Sequence, residues 1–462
     1  MKPNWLRIAN EHILALPIRL LLAAVLVTPA FGAQAGVVLT TLHSFTGATN
    51  GAIPFAGLVQ GSDGFFYGTT YGGTTNGFGT VFRISATGAF NTVYAFTGAS
   101  DGGNPHGVLV QGRDGNFYGT TFNGGTNNFG TVFKIGTNGA PTGLDSFAGT
   151  NGYSPVAGVA QGSDGNLYGT VLGGAPHYDG TVFKISTNGG LNTLYSFTGG
   201  TDGSYPETAP VQGQDGNFYG TTDLGGTNNA GTVFKIGANG GLSSLYSFTG
   251  GIDGATPFGG LIQGSDGNLY GTTISGGTNS DGTVFQISTN GALTSLYSFT
   301  GSNDGRNPHA GLMQGSDGNF YGTTYSGGTY GFGTVFQIDT QGALTTLHSF
   351  SGGNDGANPV AALVQVNGSF YGTTSGGTNS LGTVFRLTMT PEFHAVTLIN
   401  NTLSLTWSTE QGGRYQLQYS ADLNSGNWSN LTTVVTATGA TLSATDSVTN
   451  APHRFYRVML SP

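Results

Sequence analysis

Glu207 is the only glutamate between residues 36 and 390. Cleaving a glycosidic bond takes two carboxyl groups about 5–10 Å apart, so Glu207 would need a loop aspartate such as Asp202 or Asp253 beside it. His106, Arg306 and His309 offer polar contacts to a ligand, and the eight histidines of the chain are dispersed. Other chemistries lack their residues. With no cysteine, a thiolate metal site, an iron–sulfur cluster and a cysteine nucleophile are excluded. No His-Glu-x-x-His, Gly-x-x-x-x-Gly-Lys or Asp-x-Asp-x-Asp-Gly pattern occurs. Asp101, Asp202, Asp253, Asp304 and Asp355 recur at equivalent places. One aspartate per place does not make the many-oxygen cage that calcium needs, so no metal and no cofactor is expected.

A second set of candidates is aromatic. The residue after a recurring proline runs Phe55, His106, Val156, Glu207, Phe258, His309 and Val360. Nearby loops carry Tyr71, Phe78, Phe122, Phe129, Tyr178, Tyr325, Tyr330 and Phe332. Aromatic rings with a few polar groups are what a sugar-binding surface needs. The alternative is that these rings pack beneath their own glycine-rich loops.

The elements that position these residues follow from a repeat. Phe/Leu-Tyr-Gly-Thr recurs with its tyrosine at Tyr67, Tyr118, Tyr168, Tyr219, Tyr270, Tyr321 and Tyr371, spaced 50 or 51 residues apart. Each unit has four β-candidate runs, labelled A (Gly57–Gln60), B (Phe66–Thr70), C (Gly79–Ile84) and D (Thr92–Phe96) in the first. Asp63-Gly64 joins A to B, and Thr87-Gly88, replaced later by Asn-Gly as at Asn188-Gly189, lies between C and D. Such dipeptides supply the positive φ of tight hairpins, so the runs they join are antiparallel and a parallel β-helix is excluded. Paired apolar residues such as Val81-Phe82 imply sheets covered on both faces. The fold class expected is therefore all-β, a seven-bladed β-propeller of four-stranded antiparallel blades. A lone D-type run, Thr41–Phe45, precedes the first unit and the last unit ends at its C-type run, Gly382–Leu387. The N-terminal strand is thus expected to close the ring, with an open solenoid as the alternative. The recurring glutamines, among them Gln111, Gln161 and Gln314, are expected to satisfy backbone groups on the inner strands.

The units resemble the tandem repeat of exported proteins called GloVer-type or "choice-of-anchor" repeat proteins. Gln314–Thr323, Gln-Gly-Ser-Asp-Gly-Asn-Phe-Tyr-Gly-Thr, carries the resemblance, with Gly-Gly-Thr and Gly-Thr-Val-Phe after it. It implies an extracellular propeller with a variable C-terminal attachment module, and brings no catalytic residues. The last unit departs from the pattern with Val366-Asn367-Gly368-Ser369 at its A–B turn. The Ser-Asp-Gly-Asn turn also resembles the Asp-box of sialidase-like propellers, though the spacing differs.

Residues 1–35 read as a signal peptide: Lys2, Arg7 and Arg19 precede the apolar run Leu20–Val27, and Ala33-Gln34-Ala35 ends it. Residues 36–390 form the expected propeller and 391–462 a fibronectin-type-III-like β-sandwich, with runs at Leu403–Trp407, Tyr415–Tyr419, Leu431–Val435 and Phe455–Val458, and Trp407 and Trp428 as core anchors. Charged residues make up 8% of the chain against the roughly 25% of ordinary domains. The formal net charge is −9, with no basic cluster, so nucleic acid is a poor partner. The reading is a secreted or cell-surface monomer, non-catalytic, that recognises extracellular polysaccharide through its long-loop face. Two alternatives stand beside it: an adhesive scaffold that binds surface proteins, and a glycan-active hydrolase or lyase.

Overall fold

The computed structural model describes residues 6–9, 36–137, 139, 141–174, 176–391, 393–409, 412–421, 427–439, 441–448 and 453–461. The expected signal peptide lies almost wholly outside these residues. The described residues are all-β. Each repeat unit forms a four-stranded antiparallel sheet in the order A-B-C-D. In the first unit the strands are Val59–Gln60, Phe66–Thr70, Thr80–Ile84 and Phe90–Ala95. The A strand is shorter than the expected Gly57–Gln60, and the D strand begins earlier than Thr92, extending the hairpin from its turn.

The last sheet has the order Val37–Ser44, Thr383–Met389, Ser369–Thr374, Val364–Val366, so a strand from before the first unit fills the D place. The amide of Phe45 continues this pairing, donating to the carbonyl of Gly382 at 3.0 Å. Neighbouring sheets touch in a repeating way. Thr120 Oγ1 donates to the carbonyl of Ala157, Thr170 to Thr208 and Thr272 to Ala310, all from a B strand to the next unit. The same bond runs from Thr373 of the last unit to Ala56 of the first, at 2.9 Å.

The B and C strands are buried along almost their whole length because sheets cover both of their faces. Glycine in the middle of strand B then has a packing reason. Gly271 pairs with Phe285 across the hairpin, and a Cβ there would lie 2.7 Å from Phe285 Cζ and 2.9 Å from Leu261 Cδ2. Gly271→Val is expected to destabilise the chain by about 1–3 kcal/mol through overpacking. An unchanged urea midpoint would show that the ring has room to move.

At the hairpin ends, Asp114 Oδ1 accepts the amide of Asn116 and its Oδ2 accepts the hydroxyl of Tyr118 at 2.8 Å. Burial pushes this carboxyl up, but hydrogen bonds from Lys134, Asn116 and Tyr118 outweigh it and hold it well below the usual range. The glutamines do satisfy backbone groups, and those groups belong to the neighbouring turn. Gln111 Oε1 accepts the amide of Ser62, while its Nε2 donates to the carbonyl of Gly115. They are partly exposed, not buried as an inner ring would require.

The described residues divide into two compact units. One comprises those of Leu39–Val364 and Phe370–Arg386, and the other includes those of Leu387–Pro462. In the second, the strands Phe393–Ile399, Thr402–Ser408 and Thr441–Ser447 make a three-stranded sheet. Arg414–Ser420 and His453–Ser461 form the centre of another. One apolar cluster containing Leu405, Trp407, Tyr415, Leu417 and Tyr456 joins residues of both sheets. The run expected at Leu431–Val435 is instead two short strands, Ser429–Asn430 and Val435–Thr436, each paired with Arg414–Ser420. Trp407 is a core residue. Trp428 is not: it is half-exposed, with the Arg457 guanidinium 4.2 Å above its ring.

Candidate functional site

The D–A and B–C loops share one end of every sheet. Paired bridges such as Ala52 with Gly72, Gly103 with Asn123 and Arg306 with Ser326 hold the two loops of each unit together. Two positions matter at this end: the residue after the loop proline, and the residue after strand B, which runs Tyr71, Phe122, Leu172, Asp223, Ile274, Tyr325 and Ser375. The residue before the proline fixes both. Its φ is positive even where it is β-branched, 56° at Ile53 and at Thr256, an uncommon and strained state for such side chains. It is held from both sides. The amide of Asn104 donates to Phe78 of the preceding unit, and its carbonyl accepts the amide of Phe122 in its own. The same pair of bonds seats Tyr71 through Ile53, Asp223 through Tyr205 and Tyr325 through Asn307.

Two aromatic groups result. Phe55 lies 5.4 Å from Tyr71 and 4.8 Å from His106, between ring centroids. In a second sector Phe258 lies 5.2 Å from His309, which lies 4.7 Å from Tyr325. All six are half-buried, as is Phe122 at its equivalent place. Each group joins a phenylalanine of one unit to a histidine of the next. His106 Nδ1 lies 3.2 Å from the carbonyl of Val156, an acceptor only, so this nitrogen carries the proton and Nε2 is left as an acceptor. Burial holds the His106 pKa below the usual value, against that hydrogen bond, and lowers His309 to about 4. Both rings are therefore neutral at pH 7.

Between the two groups stands Glu207, and its neighbour is Asp223, not Asp202 or Asp253. The two carboxyls are in hydrogen-bond contact. Burial raises Glu207, and burial together with the Glu207 charge raises Asp223, so the pair retains a proton near neutral pH. Asp202 and Asp253 are held at the outer strands. Asp202 accepts the Tyr195 hydroxyl at 3.0 Å and that of Thr198 at 2.5 Å, and Asp253 accepts the hydroxyls of Tyr246 and Thr249. Asp101 accepts the hydroxyls of Tyr94 and Thr97 and Asp304 those of Tyr297 and Thr300, while Asp355 accepts that of Ser351 and lies 3.2 Å from His348 Nε2. Among the described residues no three metal-ligating side chains converge.

The remaining candidates do not join the inner groups. Half-buried Phe78 packs against Gly98 and Gly103, while Phe129 and Phe332 lie against Gly149 and Gly352 and remain exposed. Gly98, Gly149 and Gly352 have positive φ, and a Cβ there would press on the ring. Tyr178 and Tyr330 stand at loop tips, 63% and 61% exposed. Arg306 is exposed, its Nε donating to Ser326 Oγ at 3.2 Å. Aromatic type does not single out Asp223, which occupies the same repeat place as Tyr71 and Tyr325.

The arrangement can stack on the apolar faces of a ring-shaped ligand, accept hydrogen bonds at His Nε2, and exchange protons at the acid pair.

The model of the Gloeobacter/Verrucomicrobia repeat family matches residues 30–234 and 207–406. No curated protein matches the sequence. Among solved structures, the extracellular domain of a protein described as a hybrid two-component system from B. thetaiotaomicron is 12% identical with a TM-score of 0.48. The alignment covers 89% of this chain and 54% of that one, so this chain spans about half its length. A protein described as a 6-phosphogluconolactonase from Bacteroides uniformis is 15% identical, with 80% and 96% covered and a TM-score of 0.45. A sialidase from Trypanosoma rangeli solved with sialic acid is 10% identical, with 83% and 76% covered and a TM-score of 0.39. No helix among the described residues is long and apolar enough to cross a membrane.

Proposed function

The chain belongs to the Gloeobacter/Verrucomicrobia repeat family, and from that premise we propose that it is an exported, closed seven-bladed β-propeller, followed by a fibronectin-type-III-like module, that binds extracellular polysaccharide at its loop end. The observation that carries this reading is the convergence of Phe55, Tyr71 and His106, and of Phe258, His309 and Tyr325, on inner positions of that end. Rings held half-buried by strained, doubly hydrogen-bonded loops present preorganised faces, which is what stacking on a sugar rewards. The role proposed is binding: the interaction of Glu207 with Asp223 engages the carboxyls with each other, whereas cleavage uses two carboxyls held apart.

The test is binding of soluble polysaccharides and their oligomers, read first as a thermal shift. A ligand at about 100 times its Kd adds roughly 2.7 kcal/mol of stability. Tyr71→Ala with Tyr325→Ala is expected to weaken the binding at least about ten-fold per ring while leaving the fold intact, since each lost aromatic contact costs about 1.4 kcal/mol or more. Undiminished binding by the double variant would move the site elsewhere.

A second reading, an adhesive scaffold that binds proteins, is favoured by one feature. The edge strand Phe393–Ile399 exposes Val396, Leu398 and Ile399, the last at 68%. Unpaired apolar edges of this kind accept further strands.

A further inference from the structure

Residues 207 and 223 depart from the repeat together. Every other unit carries Phe, His or Val after its proline, and none carries an acid after its second strand. Both residues are half-buried, and carboxyls drawn out of water are costly unless a positive partner offsets them. Here burial and the pair's own contact are the causes that act on both, with no Lys, Arg or charged His among them. The ring histidines His106 and His309 are kept neutral by burial. In addition, Asp223 Oδ1 is buried and accepts no hydrogen bond. Two aliphatic residues would fill the place at lower cost, as Val156 and Leu172 do one unit earlier. The place therefore lacks one hydrogen-bond donor and one positive charge.

A metal ion is a poor answer, because two carboxyls are far short of the six to eight oxygens, roughly, that calcium takes, and no third ligand converges among the described residues. An ammonium group answers both needs, and the aromatic groups on either side suit a cation. We infer that the Glu207–Asp223 pair makes the loop-end site selective for amine-bearing sugars, the ammonium group taking the place of the proton held between the carboxyls. This rests on the carbohydrate reading above. The exchange balances simply: the ammonium enters, the displaced proton leaves to solvent, and no carbon bond is made or broken.

The experiment is calorimetric titration of the full chain with three probes: the glucosamine tetramer, the N-acetylglucosamine tetramer and cyclohexylammonium. The glucosamine tetramer is expected to bind at least ten-fold more tightly than its acetylated counterpart. Titration in two buffers of different ionisation enthalpy is expected to show proton release. In Glu207→Gln with Asp223→Asn the preference is expected to vanish while any binding of the acetylated tetramer persists. Equal affinity of the wild type for both tetramers, or a preference that survives in the double variant, would overturn the inference. Should the variant not fold, the wild-type comparison decides by itself. Binding of cyclohexylammonium without either tetramer would sustain the amine selectivity and overturn the carbohydrate reading. Silence from all three probes would overturn both.

Discussion

Replacing Glu207 by Gln and Asp223 by Asn together is expected to stabilise the unliganded protein at pH 8, by more than about 1.4 kcal/mol, the worth of one pKa unit, and to flatten the dependence of its stability on pH. The sign follows from the direction of the two shifts. Burial raises Glu207 from 4.5 to about 7, and burial with the neighbouring charge raises Asp223 from 3.8 to about 8. The unfolded chain has lost both protons by about pH 6, whereas the folded chain still holds them. Stability contributed by these protons is complete below the unfolded pKa values and is lost as pH rises through the folded ones. The wild type is thus expected to weaken between pH 5 and pH 8. Burial lowers the pKa of His43, His106, His309 and His348, which bends the curve the other way below about pH 6.5. Comparing variant with wild type at each pH cancels that contribution. Urea titrations at pH 5 and pH 8 supply the measurement, and a variant less stable than wild type at pH 8 would mean the acid pair is a structural asset.

Phe45→Ala is expected to cost about 3–5 kcal/mol, the ordinary loss for a fully buried phenylalanine. Phe45 is 0% exposed, and its ring lies 5.4 Å from Phe82 and 5.8 Å from Phe90. This repeats a contact made throughout the chain. Phe147 meets Phe183 at 5.3 Å, Phe248 meets Phe285 at 5.2 Å, and Phe350 meets Phe385 at 5.3 Å, each edge to face across neighbouring sheets. Phe248→Ala is the internal reference. If the N-terminal strand closes the ring, the two substitutions lower the urea midpoint by similar amounts and the chain still unfolds in one transition. If the ring is open at that seam, Phe45→Ala costs less than about 1 kcal/mol, since surface changes fall in that range. That outcome would leave an open array of sheets.

The candidate site was only partly legible. Phe55, His106, Phe258 and His309 follow a proline in each unit, and that regular place brought them to the inner positions. Phe78, Phe129 and Phe332 share the same composition and loop, yet they pack on glycines of the following unit. Aromatic type alone does not separate the two groups. What separates them is the backbone's direction at each place, and that depends on hydrogen bonds between units. The carboxyl pair shows the same limit: Asp202 is five residues from Glu207 and serves Tyr195 and Thr198, while Asp223, sixteen residues away, is its partner.

Local turn chemistry is a short-range property, and the sequence by itself determined what depends on it. Asp-Gly and Asn-Gly turns set the antiparallel hairpins, strand B runs over the expected Phe66–Thr70, and the period of the tyrosines sets the number of units. Tertiary structure alone decided which loop side chains face one another, since residues about fifty apart along the chain become neighbours only when sheet stacks on sheet. That packing brought His106 to Phe55 and let Gly98 take the ring of Phe78. Tyr205, at positive φ before the proline of the D–A loop, accepts the amide of Asp223 from the B–C loop and so brings the two acid-bearing loops together.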